Sequence, residues 1–503
     1  MTLRVLFLPH GRRRAYFDRQ LTAAVSRRGW RIGVLAPEAS RAAYSAYVAR
    51  AEDHLALPDF AADAVAGVGS DSETAALIAD VERINGIPAA RLVLAAEREF
   101  GRGFARPFIH FPERRVVGRA IADNRLPARI VTAIFARVSA QLDAFSPDIV
   151  VSGNIAASHH MALALVARAR GIPVLVGRAS KIHSDRSFWT SDLSMMNLAA
   201  SSRAQELHAS QTAPDAGARA WLTAFRERPR SVAYIARFWS ATTAHGWLAR
   251  HKHFCALAAL QLLHYLRRRT GAAPRPIWPT VVDYYRTEWL AFRQRSHFAR
   301  PSPDELAAMR YVYLPLHKEP ELAINFQAPA WRNQYETAAK LAAALPHGTM
   351  LIVRDPRFNR GRRPTSFYTN LAALPGVVLA DPFDDQFKYI TNASVIVTDN
   401  GSTGWEGLIL GRTVVTLDRT FYDATGLVHR VYEPARLGEV LVRLLREAPP
   451  LPVDAEMRLA HLVAAEFATT TADEGEDGLA ANIATIEDTA RSGVSVARRG
   501  AAE

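Results

Sequence analysis

Short apolar runs alternate with stretches of amphipathic, helical length, and this alternation occurs in two separate series along the chain. In the first series, Arg4–Pro9 reads as a strand, Ala15–Trp30 as an amphipathic helix ending near Gly29, and Arg31–Pro37 as a second strand. Farther on, Ile149–Ser152 within FSPDIVVSGN reads as a strand, HHMALALVARARG as a helix stopped by Gly171, and IPVLVG as another strand. Strand–helix–strand units of this length imply a parallel sheet with right-handed crossovers. Ligands of such sheets sit beyond the carboxyl ends of the strands. His10–Gly11, Gly153–Asn154 and the Ser180–Asp185 loop are therefore expected to face a cleft.

The second series opens after ARPSPDE. Tyr311–Leu316 reads as a strand, Asn333–Leu345 as a helix, and Thr349–Arg354, Val377–Ala380, Val395–Thr398 and Val414–Leu417 as further strands. Residues 55–145 and 204–300 read mainly as helix. A chain of 503 residues is too long for one ordinary core. The expected organisation is an α/β protein of two parallel-sheet domains facing a cleft, with helical insertions. Residues 1–300 form the first domain, 301–475 the second, and 476–503 a helix crossing back to the first domain, followed by a flexible tail from about Arg491.

Composition narrows the function classes. With 49% hydrophobic and 22% charged residues the chain is globular. Its one cysteine, Cys255, excludes an internal disulfide and fits a reducing compartment. The first apolar run is too short for a signal peptide or a membrane span, so a cytoplasmic location is expected. A net charge of +13 suits nucleic acid, an anionic membrane or an acidic substrate. The arginines are spread out, however, and no nucleic-acid module is present, so no nucleic-acid partner is expected. The stretch ARHKHFCALAALQLLHYLRRR is apolar at its centre and basic at its ends. Such a segment is either a core helix or an interfacial one, and the helices between Ala236 and Arg269 are expected to touch an anionic bilayer. Neither GxGxxG nor a Walker A sequence occurs.

VTDNGSTGWEGLILGRTVVTLD, Val397 to Asp418, places a polar, glycine-bearing turn between a buried strand and a short helix. A helix N-terminus offers unpaired N–H groups and partial positive charge, and Ser402 and Thr403 add hydroxyl donors. The turn is thus an anion site in outline; alternatively, one of those hydroxyls only caps the helix. The neighbouring aspartates of DPFDDQF read as a loop and a helix cap.

Three segments in order, YVYLPLHKEPE, LAAALPHGTMLIVRDPR and VTDNGSTGWEGLILGRTVVTLD, resemble bacterial capsule and surface-polysaccharide biosynthesis proteins across roughly residues 305–430. The resemblance implies a GT-B glycosyltransferase with two Rossmann-like domains and a nucleotide-activated sugar as co-substrate. A CMP-linked acidic sugar, such as Kdo or a sialic-acid-like sugar, is one candidate donor, and a surface glycan or glycoconjugate the acceptor. No other cofactor and no essential metal are expected. The family's phosphate-binding turn falls on Gly401, Ser402, Thr403 and Gly404. Its His-Pro position falls on Asp355–Pro356, where this chain departs from the pattern, leaving Arg354 and Arg357 to supply positive charge. His317 is expected to hydrogen-bond donor phosphate or sugar, with Glu321 orienting it or binding a hydroxyl, and Glu406 to accept from a ribose hydroxyl. The base that takes the acceptor's proton is expected in the first domain. Candidates there are His10, Asp18, His159, His160, His183, Asp185 and Asp192, with His10 and Asp185 preferred. The enzymatic rival is a nucleotide-sugar epimerase of the same architecture; a non-catalytic membrane- or polysaccharide-binding scaffold is the other alternative.

Overall fold

The computed structural model describes residues 2–9, 14–36, 41–48, 50–58, 60–96, 125–155, 157–230, 248, 251–252, 254–256, 258–259, 278–318, 321, 323–473 and 475–500. The chain divides into two compact units. Of the described residues, one unit takes those up to Thr212 and from Leu462 on, and the other those between Ala213 and His461.

In the first unit, β1 (Arg4–Leu8), β2 (Arg31–Ala36), β3 (His54–Ala56), β4 (Ile149–Ser152), β5 (Val174–Ala179) and β6 (Arg186–Thr190) form a sheet with a late strand, Thr471–Ala472. The order is β3-β2-β1-β4-β5-β6 with Thr471–Ala472 beside β6. Pairing is parallel from β3 through β5 and antiparallel at the last two junctions. Val5–Leu8 and Val150–Val151 are buried without alternation, as strands covered on both faces must be. The helix Glu476–Gly500 packs its Ile483, Ile486 and Ala490 into the same core as Val5, Phe7 and Val34.

The second unit holds β7 (Tyr311–Pro315), β8 (Met350–Arg354), β9 (Val377–Ala380), β10 (Val395–Thr398), β11 (Thr413–Thr416) and β12 (His429–Arg430). They lie in the order β9-β8-β7-β10-β11-β12, all parallel. Val312, Leu314, Leu351, Val353, Val395 and Val397 share one core with Leu341 and Leu371 from the covering helices. Both sheets therefore have the doubly wound strand order, and the expected pair of parallel α/β sheets is present.

Several local expectations change. The division falls between Thr212 and Ala213 instead of near Arg300. The reason is visible in the Ala216–Glu227 helix, whose Trp221 and Phe225 pack on Trp405 and Phe387 of the second unit. The polar run after β5 is a hairpin turn, because Arg186–Thr190 pairs back on β5. β3 stands at the very start of a region read mainly as helix, and the terminal helix continues to Gly500 past the point where a flexible tail was expected. The basic segment Ala236–Arg269 lies largely outside the described residues. No described helix is long and apolar enough to cross a membrane.

Candidate functional site

In a doubly wound sheet the strand order reverses between the first strand and the fourth, and ligands bind in the crevice beyond the carboxyl ends there. In the second unit those strands are β7 and β10. His317 follows the first, and Asp399–Gly404 follows the second. The two loops meet: His317 Nε2 lies 3.7 Å from Asp399 Oδ2, and a Cβ built on Gly401 would lie 3.6 Å from the imidazole Cε1.

The turn is held from beneath. Thr398 Oγ1 accepts from the Gly401 N–H at 3.2 Å, and the Asp399 carbonyl accepts from the Asp418 N–H at 3.1 Å. The Tyr422 hydroxyl donates to the Gly401 carbonyl at 2.9 Å. Gly404 is small for Tyr422, because a Cβ there would stand 2.1 Å from the phenolic oxygen. Gly407 likewise lets the Ser402–Ile409 helix settle on β10, since a Cβ would meet Ile396 at 2.4 Å.

The helix itself starts at Ser402 with Gly401 as its N-cap, and no side chain caps it. Ser402 and Thr403 stand inside the first turn, so neither fills the capping role that was the bland alternative. First-turn N–H groups without a capping acceptor are a site for an anion.

His317 is fixed through its backbone. Its N–H donates to Gln334 Oε1 at 2.5 Å, and its carbonyl accepts from Gln334 Nε2, Asn359 Nδ2 and Arg363 Nη2 at 3.0–3.2 Å. Behind these lies Asp355. Its carboxylate takes Arg363 Nε on both oxygens at 3.1 Å, Asn359 Nδ2 at 2.9 Å and the Tyr368 hydroxyl at 2.6 Å. Arg363 is wholly buried. Asp355 was expected at the nucleotide; it instead neutralises Arg363 and, through Arg363 and Asn359, positions the His317 loop. The departure from the family's His-Pro pattern thus introduces no open negative charge.

No family model matches the sequence. A curated relative, Protein FixF of Sinorhizobium fredii (strain NBRC 101917 / NGR234), is 29% identical over 157 residues. That match takes in 30% of this chain and 37% of the relative's length. Among solved structures, the KpsC beta Kdo 2,4 transferase of Thermosulfurimonas dismutans aligns over 62% of this chain and 78% of its own at 13% identity, TM-score 0.30. The beta Kdo 2,7 transferase of the same protein aligns over 40% and 60%, at 16% identity and TM-score 0.24. UDP-GlcNAc 2-epimerase from Neisseria meningitidis aligns over 92% and 94%, at 11% identity and TM-score 0.27. At such scores these likenesses add nothing to the reading of individual residues.

The two arginines after β8 turn to a neighbouring loop. Arg354 Nη2 donates to the Pro382 and Asp384 carbonyls at 2.8 and 3.0 Å, while Arg357 donates to those of Pro382 and Phe383 at 3.2 and 3.0 Å. Burial, then the Arg354 charge, lowers the pKa of Arg357. Both were expected to supply positive charge at the nucleotide; in this geometry they fasten the Pro382–Asp384 loop. That loop is the DPFDDQF segment, in which Asp385 caps the Gln386–Asn392 helix.

Glu406 is buried as well. Its Oε2 accepts from Gln386 Nε2 at 2.8 Å, and burial pushes its carboxyl up to about 8 against the opposing charge of Arg354. Inside the unit it holds its proton more tightly than an ordinary carboxyl, and it is engaged with Gln386 where it was expected to accept from a ribose hydroxyl. Near it, burial likewise pushes the Tyr313 phenol up to about 12. Glu321 lies four residues beyond His317, half-buried.

In the first unit the candidates scatter. His10 lies outside the described residues. Asp185 is exposed on the β5–β6 turn, its carbonyl accepting from the Asp473 N–H. His183 Nε2 meets the Val463 carbonyl at 3.1 Å, the ring sits edge-on to Phe467, and burial lowers its pKa. Asp192 caps its own turn through the Ser194 N–H and hydroxyl. Asp18 is buried, its carbonyl accepting from Thr22, and His160 is buried edge-on to His159. Asp399, Gln334, Asn359 and Tyr422 were missed as site residues. Only Asp399 carried a signal, standing directly after a strand in the quoted turn.

Proposed function

We propose that the chain is a glycosyltransferase drawing its sugar from a nucleotide-activated donor, whose phosphate binds at the Ser402 turn. The observation that carries this reading is the uncapped start of the Ser402–Ile409 helix beside the His317–Asp399 pair. As the bond between sugar and phosphate breaks, negative charge gathers on the departing phosphate. Donors already aimed at that place stabilise it without reorganising. In this reading the first-turn N–H groups serve as such donors, the Ser402 and Thr403 hydroxyls turn to join them, Ser402 from its bond to Glu406, and His317, held by its backbone clamp and beside Asp399, supplies a further N–H. The proton of the acceptor hydroxyl passes to a base, for which Asp185 and His10 are our candidates. The acceptor is a surface glycan or glycoconjugate, and the reaction is cytoplasmic.

Incubation with a panel of nucleotide sugars, CMP-linked acidic sugars first, tests the reading. Free nucleotide should accumulate with one donor and rise at least about tenfold on adding glycan acceptor, since transfer lowers a barrier that water attack does not share. Isomerised nucleotide sugar without acceptor would mean an epimerase. No turnover and no nucleotide binding would leave a scaffold.

A further inference from the structure

The helix Trp278–Gln294 exposes large apolar side chains in one stripe: Val282 at 46%, Tyr285 at 48%, Trp289 at 54% and Phe292 at 58%. At 100° per residue these four fall within an arc of about 80°, and Arg293 and Arg286 lie next along its border. Arg286, Arg293 and Arg295 are all exposed. Arg293 stands 4.9 Å over the Trp289 ring and Arg295 4.1 Å over that of Phe292.

The rest of the helix surface accounts for its attachment. Glu288 pairs with Arg360 at 2.8 Å, and Gln294 donates to the Arg363 carbonyl at 2.9 Å. Gly361, at φ +66°, lets the Thr287 carbonyl come so close that a Cβ would stand 2.1 Å away. The helix is therefore anchored through polar groups while its aromatic stripe stays about half exposed, the reverse of an ordinary surface helix. Glu288 is turned to Arg360, and among the described residues the charged groups bordering the aromatic stripe are arginines. Lys252 and Phe254 come from the neighbouring basic segment; Phe254 stacks on Tyr284 at 4.0 Å, and Lys252 is exposed.

We propose that this face binds an anionic phospholipid bilayer, with Tyr285, Trp289 and Phe292 entering the headgroup boundary and Arg286, Arg293 and Arg295 meeting lipid phosphates. Aromatic rings with polar rims favour that boundary, and clustered arginines add attraction to anionic lipid. A net charge of +13 favours the same partner. The contact is thus placed on a helix outside Ala236–Arg269, and it does not depend on the chemistry proposed above.

The test is co-sedimentation of the full chain with phosphatidylglycerol-containing vesicles and with pure phosphatidylcholine vesicles. Binding is expected to the first and to be at least about tenfold weaker to the second. A Tyr285→Ser, Trp289→Ser, Phe292→Ser variant and an Arg286→Gln, Arg293→Gln, Arg295→Gln variant should each lose about a hundredfold in binding with unchanged melting curves, the second more at low salt than at high. Equal binding by the parent and the aromatic variant overturns the proposal, as does absence of parent binding. Sedimentation velocity excludes the rival occupant. A concentration-dependent dimer that the aromatic variant abolishes would assign the face to a second copy of this chain and overturn the lipid reading.

Discussion

Replacing Asp355 by alanine is expected to destabilise the protein by roughly 3–5 kcal/mol, because it removes the carboxylate that pairs with the buried Arg363 guanidinium. Arg363 is fully buried, and Asp355 takes its Nε on both carboxylate oxygens as well as Asn359 and the Tyr368 hydroxyl. The denaturation midpoint should fall accordingly. An Asp355→Leu, Arg363→Met double variant should recover most of the loss, since apolar groups of similar volume can replace a buried pair at little cost. The double variant nevertheless removes the Arg363 bond to the His317 carbonyl, so nucleotide affinity should stay reduced after stability returns. Loss of stability below about 1 kcal/mol in the single variant would show that the pair is solvated.

The second large effect concerns pH. Burial raises the Glu406 carboxyl from 4.5 to about 8. A group whose pKa is raised on folding contributes stability that is fully present below its unfolded value and is lost as pH rises through the folded value. For Glu406 the window is therefore pH 4.5 to 8. Glutamine cannot ionise, and its amide oxygen can still accept from Gln386. Between pH 5 and pH 9 the Glu406→Gln variant should gain on the order of 4 kcal/mol relative to the parent. Urea titrations at the two pH values measure it, and parallel stability profiles would show that the carboxyl is not buried in its neutral form.

The architecture was legible because it rests on hydrophobic pattern. Runs such as VLFL, IVV and VIV have few ways to be buried except as central parallel strands, and the strands named from them are present. β3 and β6 were harder, since HLA is short and RSFWT is polar at its ends. The turn at Gly401 was legible for the same reason, as glycine and hydroxyl residues stand between a buried strand and an apolar helix. What the sequence could not convey is which polar groups are already satisfied. Asp355, Arg354, Arg357 and Glu406 look like ligand-binding groups in a linear reading. Their partners Arg363, the Pro382–Asp384 carbonyls and Gln386 are distant or backbone groups, and only the folded chain brings them together. His317 differs, because it follows a strand at the switch point, and topology alone carries it to the turn.

The phosphate turn is the central claim, and calorimetric titration of a Ser402→Ala, Thr403→Ala variant with nucleotide, beside thermal melts, tests it most directly. Neither hydroxyl caps the helix, so the variant should melt within about 1 kcal/mol of the parent. Losing charge-assisted hydrogen bonds to phosphate should cost about 1.5–3 kcal/mol of binding, or roughly 10- to 150-fold in affinity. Unchanged affinity in a clearly destabilised variant would contradict the account.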